Sequence, residues 1–177
     1  SPPCRLSSGG REGQGWVLDL RHSRQSRHQG DRSSIPFKTD VMITVDLKKL
    51  VPTLKQVLNQ DDRVVFAYLY GSTAESGAGN DVDIAVYARP GVDPHLLGAD
   101  LRIALGERTG LSPEAFDVRV VNRLAREGDV FGLLYLQRVF SVNQLLVDKD
   151  PDVRSDFLEC YGTRYRECEG LMQEVLL

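Results

Sequence analysis

Two carboxylates, Asp81 and Asp83, flank Val82 at the head of an apolar run that continues Ile84-Ala85-Val86. Residues two apart in a strand point to one face, so both side chains project together. Like charges so placed repel unless a cation sits between them. Upstream, Gly71-Ser72 closes a second apolar run, Val64-Val65-Phe66-Ala67-Tyr68-Leu69-Tyr70. The Gly-Ser pair permits a sharp turn and leaves backbone N–H groups and a hydroxyl for an anion. Hard oxygen ligands beside a phosphate-cradling turn suit Mg²⁺-assisted chemistry on a nucleotide. Alone, a Gly-Ser is usually a turn and an Asp-x-Asp a solvated strand end. In the order strand, Gly-Ser, turn, Asp-x-Asp, strand they select a metal and phosphate site.

The flanking elements must hold these groups. Asp46 can cap a helix in which Leu47, Leu50, Val51, Leu54, Val57 and Leu58 recur at helical spacing, with Pro52 expected to kink or restart it. A first strand follows over 63–70, a short helix after it, and a second strand over 82–88. Pro94 opens a helix that Thr109-Gly110 closes. Phe116 to Val121 reads as a third strand, 129–139 as a helix, Leu145-Leu146-Val147 as a short apolar piece, and Pro151 onward as a last helix. The fold class is α/β, a small mixed sheet with helices packed against it.

The 177 residues suit one domain plus a tail, and 41% apolar content supports a core. A net charge of −3 and a pI near 5.6 give no sign of direct nucleic-acid binding. No apolar run approaches the length of a membrane span, so no membrane association is expected. Cys4, Cys160 and Cys168 form no even framework and no CxxC, which favours reduced thiols and a cytoplasmic setting. Residues 1–41 are rich in Ser, Gly, Arg and Gln, and only Trp16-Val17-Leu18 is apolar. Such a segment cannot bury enough surface to offset its ordering entropy. It is expected to be disordered or a non-native extension, with the native start near Met42 and a folded domain over 42–177. Its His22 and His28 are poor catalytic candidates.

The stretch Ala67-Tyr68-Leu69-Tyr70-Gly71-Ser72, its spacer and Asp81-Val82-Asp83 resemble the signature of the polymerase-β-like nucleotidyltransferase superfamily. Within it, the chain from about Leu47 onward most resembles the minimal nucleotidyltransferases that act as antitoxins beside HEPN-domain toxins. The resemblance implies a polymerase-β-like nucleotidyltransferase fold. It implies that Gly71 and Ser72 bind the triphosphate of ATP, and that Asp81, Asp83 and Asp117 are the catalytic, Mg²⁺-holding carboxylates. Glu114 is the fallback for the third acid. The implied reaction is transfer of AMP to a tyrosine hydroxyl of a partner HEPN toxin, neutralising it. Two features depart from the family pattern: the spacer Thr73 to Asn80 is short, and Glu75 stands where a basic residue is common. A non-catalytic toxin-binding module and an enzyme acting on a small hydroxylated molecule are the alternative readings.

Other residues have plainer expectations. His95 reads as a first-turn helix residue. Arg119 shares a strand face with Asp117 and is either a phosphate or carboxylate partner or a surface charge. In the last helix, Phe157, Leu158, Tyr161, Tyr165, Cys168 and Leu171 or Met172 recur at helical spacing and are expected to pack on the domain.

Overall fold

The sheet that carries the site has four strands in the order β5-β4-β2-β6. The computed structural model describes residues 43–127 and 129–176; the expected tail, Met42, Cys4, His22 and His28 lie outside them. In chain order the elements are β1 (Ile43–Thr44), α1 (Leu47–Gln60), β2 (Val64–Tyr70), α2 (Gly71–Ser76), β3 (Ala78–Gly79), β4 (Val82–Ala88) and α3 (Pro94–Thr109). A 3₁₀ turn, Pro113–Ala115, leads into β5 (Phe116–Val120), followed by α4 (Leu124–Glu127), α5 (Val130–Val142), β6 (Gln144–Asp148) and α6 (Pro151–Leu176). β2 pairs antiparallel with β4 and with β6, and β4 pairs parallel with β5 through the α3 crossover. The mixed α/β sheet is the one expected.

Local chemistry explains the boundaries. The Asp46 carboxylate accepts from Lys48 N–H at 3.0 Å and so caps α1. Pro52 does not restart the helix; it lies inside α1, on an exposed position. On that side water can take the carbonyl that loses its intrahelical donor. Asp93 caps α3 through His95 and Leu96 N–H, and Gly110, at φ 76°, ends it in the left-handed region. His95 is thus a first-turn residue, as expected.

β2 is buried along its whole length because helices cover both sheet faces. On one face, Leu50, Leu54 and Leu58 of α1 and Leu97, Leu101 and Leu105 of α3 pack on Ala67, Leu69, Ile84, Val86 and Val118. Burying each such leucine is worth about 1.5–3 kcal/mol. On the other face, Leu136 and Val139 of α5, Ala125 of α4 and Phe157 of α6 meet Phe66, Tyr68, Tyr70 and Ala85. Phe66 stacks on Tyr87, with centroids 4.7 Å apart, and Phe157 closes on both rings. The start of α6 packs as its periodicity suggests, but Leu171 is exposed. The apolar piece around Leu145 is a sheet strand, β6, and no helix among the described residues is long and apolar enough to cross a membrane.

Candidate functional site

Strand alternation separates the two faces of β4. Val82, Ile84 and Val86 enter the core against α1 and α3, while Asp83 points to the α5 side, next to Ala85 and Tyr87. The same alternation in β5 buries Phe116 and Val118 and leaves Asp117 and Arg119 exposed. Register then sets three residues in a row across the sheet: Tyr70 is opposite Asp83 in β2–β4, and Asp83 is opposite Asp117 in β4–β5. Asp81 immediately precedes β4. Its backbone is tied down by the buried Thr73, whose hydroxyl donates to the Asp81 carbonyl at 2.7 Å.

Gly71 is required where it stands. Its φ of +79° lies in the left-handed region, and a Cβ there would collide with the Asp83 carboxylate. The Gly-Ser turn and the second carboxylate are therefore in direct contact. Ser72 is exposed at the head of α2. The short spacer folds back as β3, pairing with β1, so that a methyl on Gly79 would come within 2.6 Å of Ser72 Oγ. Glu75 is exposed on α2, one turn after Ser72. Glu114, in the 3₁₀ turn, is exposed and takes a hydrogen bond from the Ser112 hydroxyl.

The electrostatics follow from this crowding. Burial, then the charges of Asp117 and Asp81, push the Asp83 carboxyl up to about 6, and the Arg138 guanidinium of α5 opposes the rise. Such repulsion is what a cation relieves. Among the described residues, no three His, Cys, Asp or Glu side chains close into a cage for a metal. Mg²⁺ does not need one: it retains waters and is usually held by one or two carboxylates plus substrate phosphates. Hard oxygen donors on Asp83 and Asp117, with Asp81 adding charge, beside the Gly71 turn, fit that mode of binding.

Beyond the residues singled out from sequence, the site has a second layer. The hydroxyls of Tyr70 and Tyr135 share one hydrogen bond of 2.8 Å, with their rings edge to face at 5.4 Å. The Arg119 guanidinium lies 4.7 Å from the centroid of the Tyr135 ring, so its role is at least partly a cation–π contact. Burial, first of all, raises both phenols, Tyr135 to about 12, and the charges of Asp83 and Asp117 add to the rise. Tyr135 and Arg138 are three apart on α5, a helical spacing that puts both on one side. That spacing was the available sequence signal, but nothing in it said which sheet face α5 would cover.

Residues 52–152 match the family model described as polymerase beta, nucleotidyltransferase. No curated protein matches the chain. Among solved structures, a toxin–antitoxin MntA–HepT pair is 16% identical, with 73% of this chain and 99% of that one covered and a TM-score of 0.47. A toxin–antitoxin with AMP-PNP is 17% identical over 72% of this chain and 98% of that one, with a TM-score of 0.49. A protein from Shewanella oneidensis is 16% identical over 75% of this chain and 100% of that one, at 0.48. The family match covers more than half of the 177 residues and includes Gly71, Ser72 and all three carboxylates of the site. By that match, the chain belongs to the polymerase-β nucleotidyltransferase family.

Proposed function

We propose that the chain is an antitoxin that transfers AMP from ATP to a tyrosine hydroxyl of a partner HEPN toxin, with Mg²⁺ as cofactor and in the cytoplasm. The observation that carries the enzymatic half is the register setting Asp83 against Asp117, in contact with the Gly71 turn, in a chain of this family. The toxin as acceptor rests on the resemblance of the Gly-Ser and Asp-x-Asp stretch to the antitoxin branch.

Asp81, Asp83 and Asp117 would hold Mg²⁺. When bound, it offsets charge developing on the α-phosphate and on the leaving pyrophosphate. Gly71, with no Cβ, lets the backbone approach the phosphates, and the exposed Ser72 hydroxyl orients the pyrophosphate end. The toxin's tyrosine oxygen bonds to the α-phosphorus, and the bond from that phosphorus to the oxygen bridging to the β-phosphate breaks. Pyrophosphate leaves, and the phenol's proton passes to Asp117, which is exposed at the head of β5.

The test is incubation of the full chain with ATP labelled at the α-phosphate, Mg²⁺ and the toxin encoded next to it. Label on a toxin tyrosine, lost in Asp83→Asn, is the expected result. Binding of the toxin without any transfer would instead make the fold a docking module, and label on a small hydroxylated compound would move the acceptor class.

A further inference from the structure

The Tyr70–Tyr135 pair is more than a buried cross-brace. Two phenols carry two protons, and their mutual 2.8 Å hydrogen bond uses one. The other is not spent within the pair. The pair sits on the acid-bearing face: Tyr70 is in register with Asp83, and the charges of Asp83 and Asp117 reach both rings. Arg119 over the Tyr135 ring and the edge-to-face packing of the two rings fix its orientation. A pair fixed in this way can give the O–H not used within it to an acceptor that arrives with a ligand.

We propose that the Tyr70–Tyr135 pair donates its unspent O–H to a phosphate oxygen of the bound nucleotide, forming the α5 side of the substrate site. This rests on the nucleotidyltransferase reading above. Phosphate is the fitting acceptor because a phenol, whose ordinary pKa is about 10, carries its proton at neutral pH and so acts as a donor rather than a base. A phosphate also offers charged oxygens, to which hydrogen bonds are stronger than to neutral ones. The incoming hydroxyl, by contrast, needs its lone pair for attack.

The experiment is calorimetric titration of Mg·α,β-methylene-ATP, whose α–β linkage cannot be broken in the transfer, into the full chain and its Phe variants. Mn²⁺ affinity without nucleotide and melting are measured alongside. The double variant Tyr70→Phe/Tyr135→Phe keeps both rings and should bind the analogue about tenfold more weakly, with Mn²⁺ affinity unchanged. Tyr135→Phe alone leaves one hydroxyl and should lose less, and it serves as the test if the double variant does not melt cooperatively. Wild-type binding together with unchanged analogue affinity in the variants overturns this proposal alone, as does a loss of transfer rate with affinity intact, which would assign the donor to the acceptor hydroxyl. A parallel loss of Mn²⁺ affinity overturns it too, by making the pair a support for the carboxylates. A wild-type chain that does not bind the analogue overturns the nucleotide reading and this proposal with it.

Discussion

Asp83 and Asp117 stand directly opposite one another in the parallel pair β4–β5, and the charge of Asp117 ranks next after burial in raising the Asp83 carboxyl to about 6. A raised carboxyl means that the folded state holds the proton more tightly than the unfolded chain does. The stability that Asp83 contributes is therefore full below its unfolded value near 3.8 and lost as pH rises through about 6. In metal-free protein, Asp83→Asn should melt above wild type at pH 7.5, by about 3 °C, and show no advantage at pH 4. Mg²⁺ should raise the wild-type melting temperature at pH 7.5 and leave the variant unmoved. Scanning calorimetry at both pH values checks this; equal melting at pH 7.5 would mean that the repulsion is already relieved within the chain.

The carboxylate pair preceding and opening β4 should matter more to chemistry than to folding. Asp81→Asn with Asp83→Asn removes negative charge from a crowded site while keeping side-chain volume, so the fold should survive. Nucleotidyl transfer should fall at least about a hundredfold, in line with the loss of a preorganised electrostatic group. Full transfer by the double variant, measured as release of pyrophosphate, would remove these residues from the site.

Gly71 offers a cleaner geometric test. An L-residue in its left-handed conformation costs roughly 1–2 kcal/mol, and the added Cβ would also strike the Asp83 carboxylate. Gly91, at φ +83°, has the same conformational demand with nothing within 4 Å of the added Cβ. Gly71→Ala and Gly91→Ala should both melt lower, by about 2–8 °C. Only Gly71→Ala should lose binding of the ATP analogue, because only there is a site carboxylate displaced. Equal binding in the two variants would mean that the Gly71–Asp83 contact does not shape the site.

The strands and helices were legible because period and punctuation agree: Asp46 and Asp93 cap where apolar periodicity begins, and Gly110 stops α3. That Asp81 and Asp83 share a face was legible through strand alternation, which depends on local geometry alone; Asp117 was reached through the family resemblance, because its place opposite Asp83 depends on the β4–β5 register. β6 was not, because a three-residue apolar run gives no decision between strand and helix until its partner, β2, is known. Nor were Tyr70 and Tyr135, which are 65 residues apart in the chain and meet only once α5 covers that sheet face. The β1–β3 pairing that folds the spacer over Ser72 was missed for the same reason, since two-residue strands have no periodicity to read.

Glu75 is the departure from the family pattern with the clearest electrostatic consequence. It is exposed on α2, three residues after Ser72, and residues so spaced share a helix face. A triphosphate held at Ser72 would therefore meet its negative charge. Because Glu75 is exposed, water and salt screen the effect, and a single such pair is worth at most about 1 kcal/mol. Glu75→Arg reverses the sign, so Mg·α,β-methylene-ATP should bind about three- to fivefold more tightly at low ionic strength. In about 0.5 M salt, where the screening length is only a few ångströms, the gain should vanish. Paired calorimetric titrations at the two salt concentrations measure both quantities. A gain that persists in high salt would point to a new direct contact of the arginine with phosphate, and no gain at low salt would mean that the Glu75 side chain points away from the nucleotide.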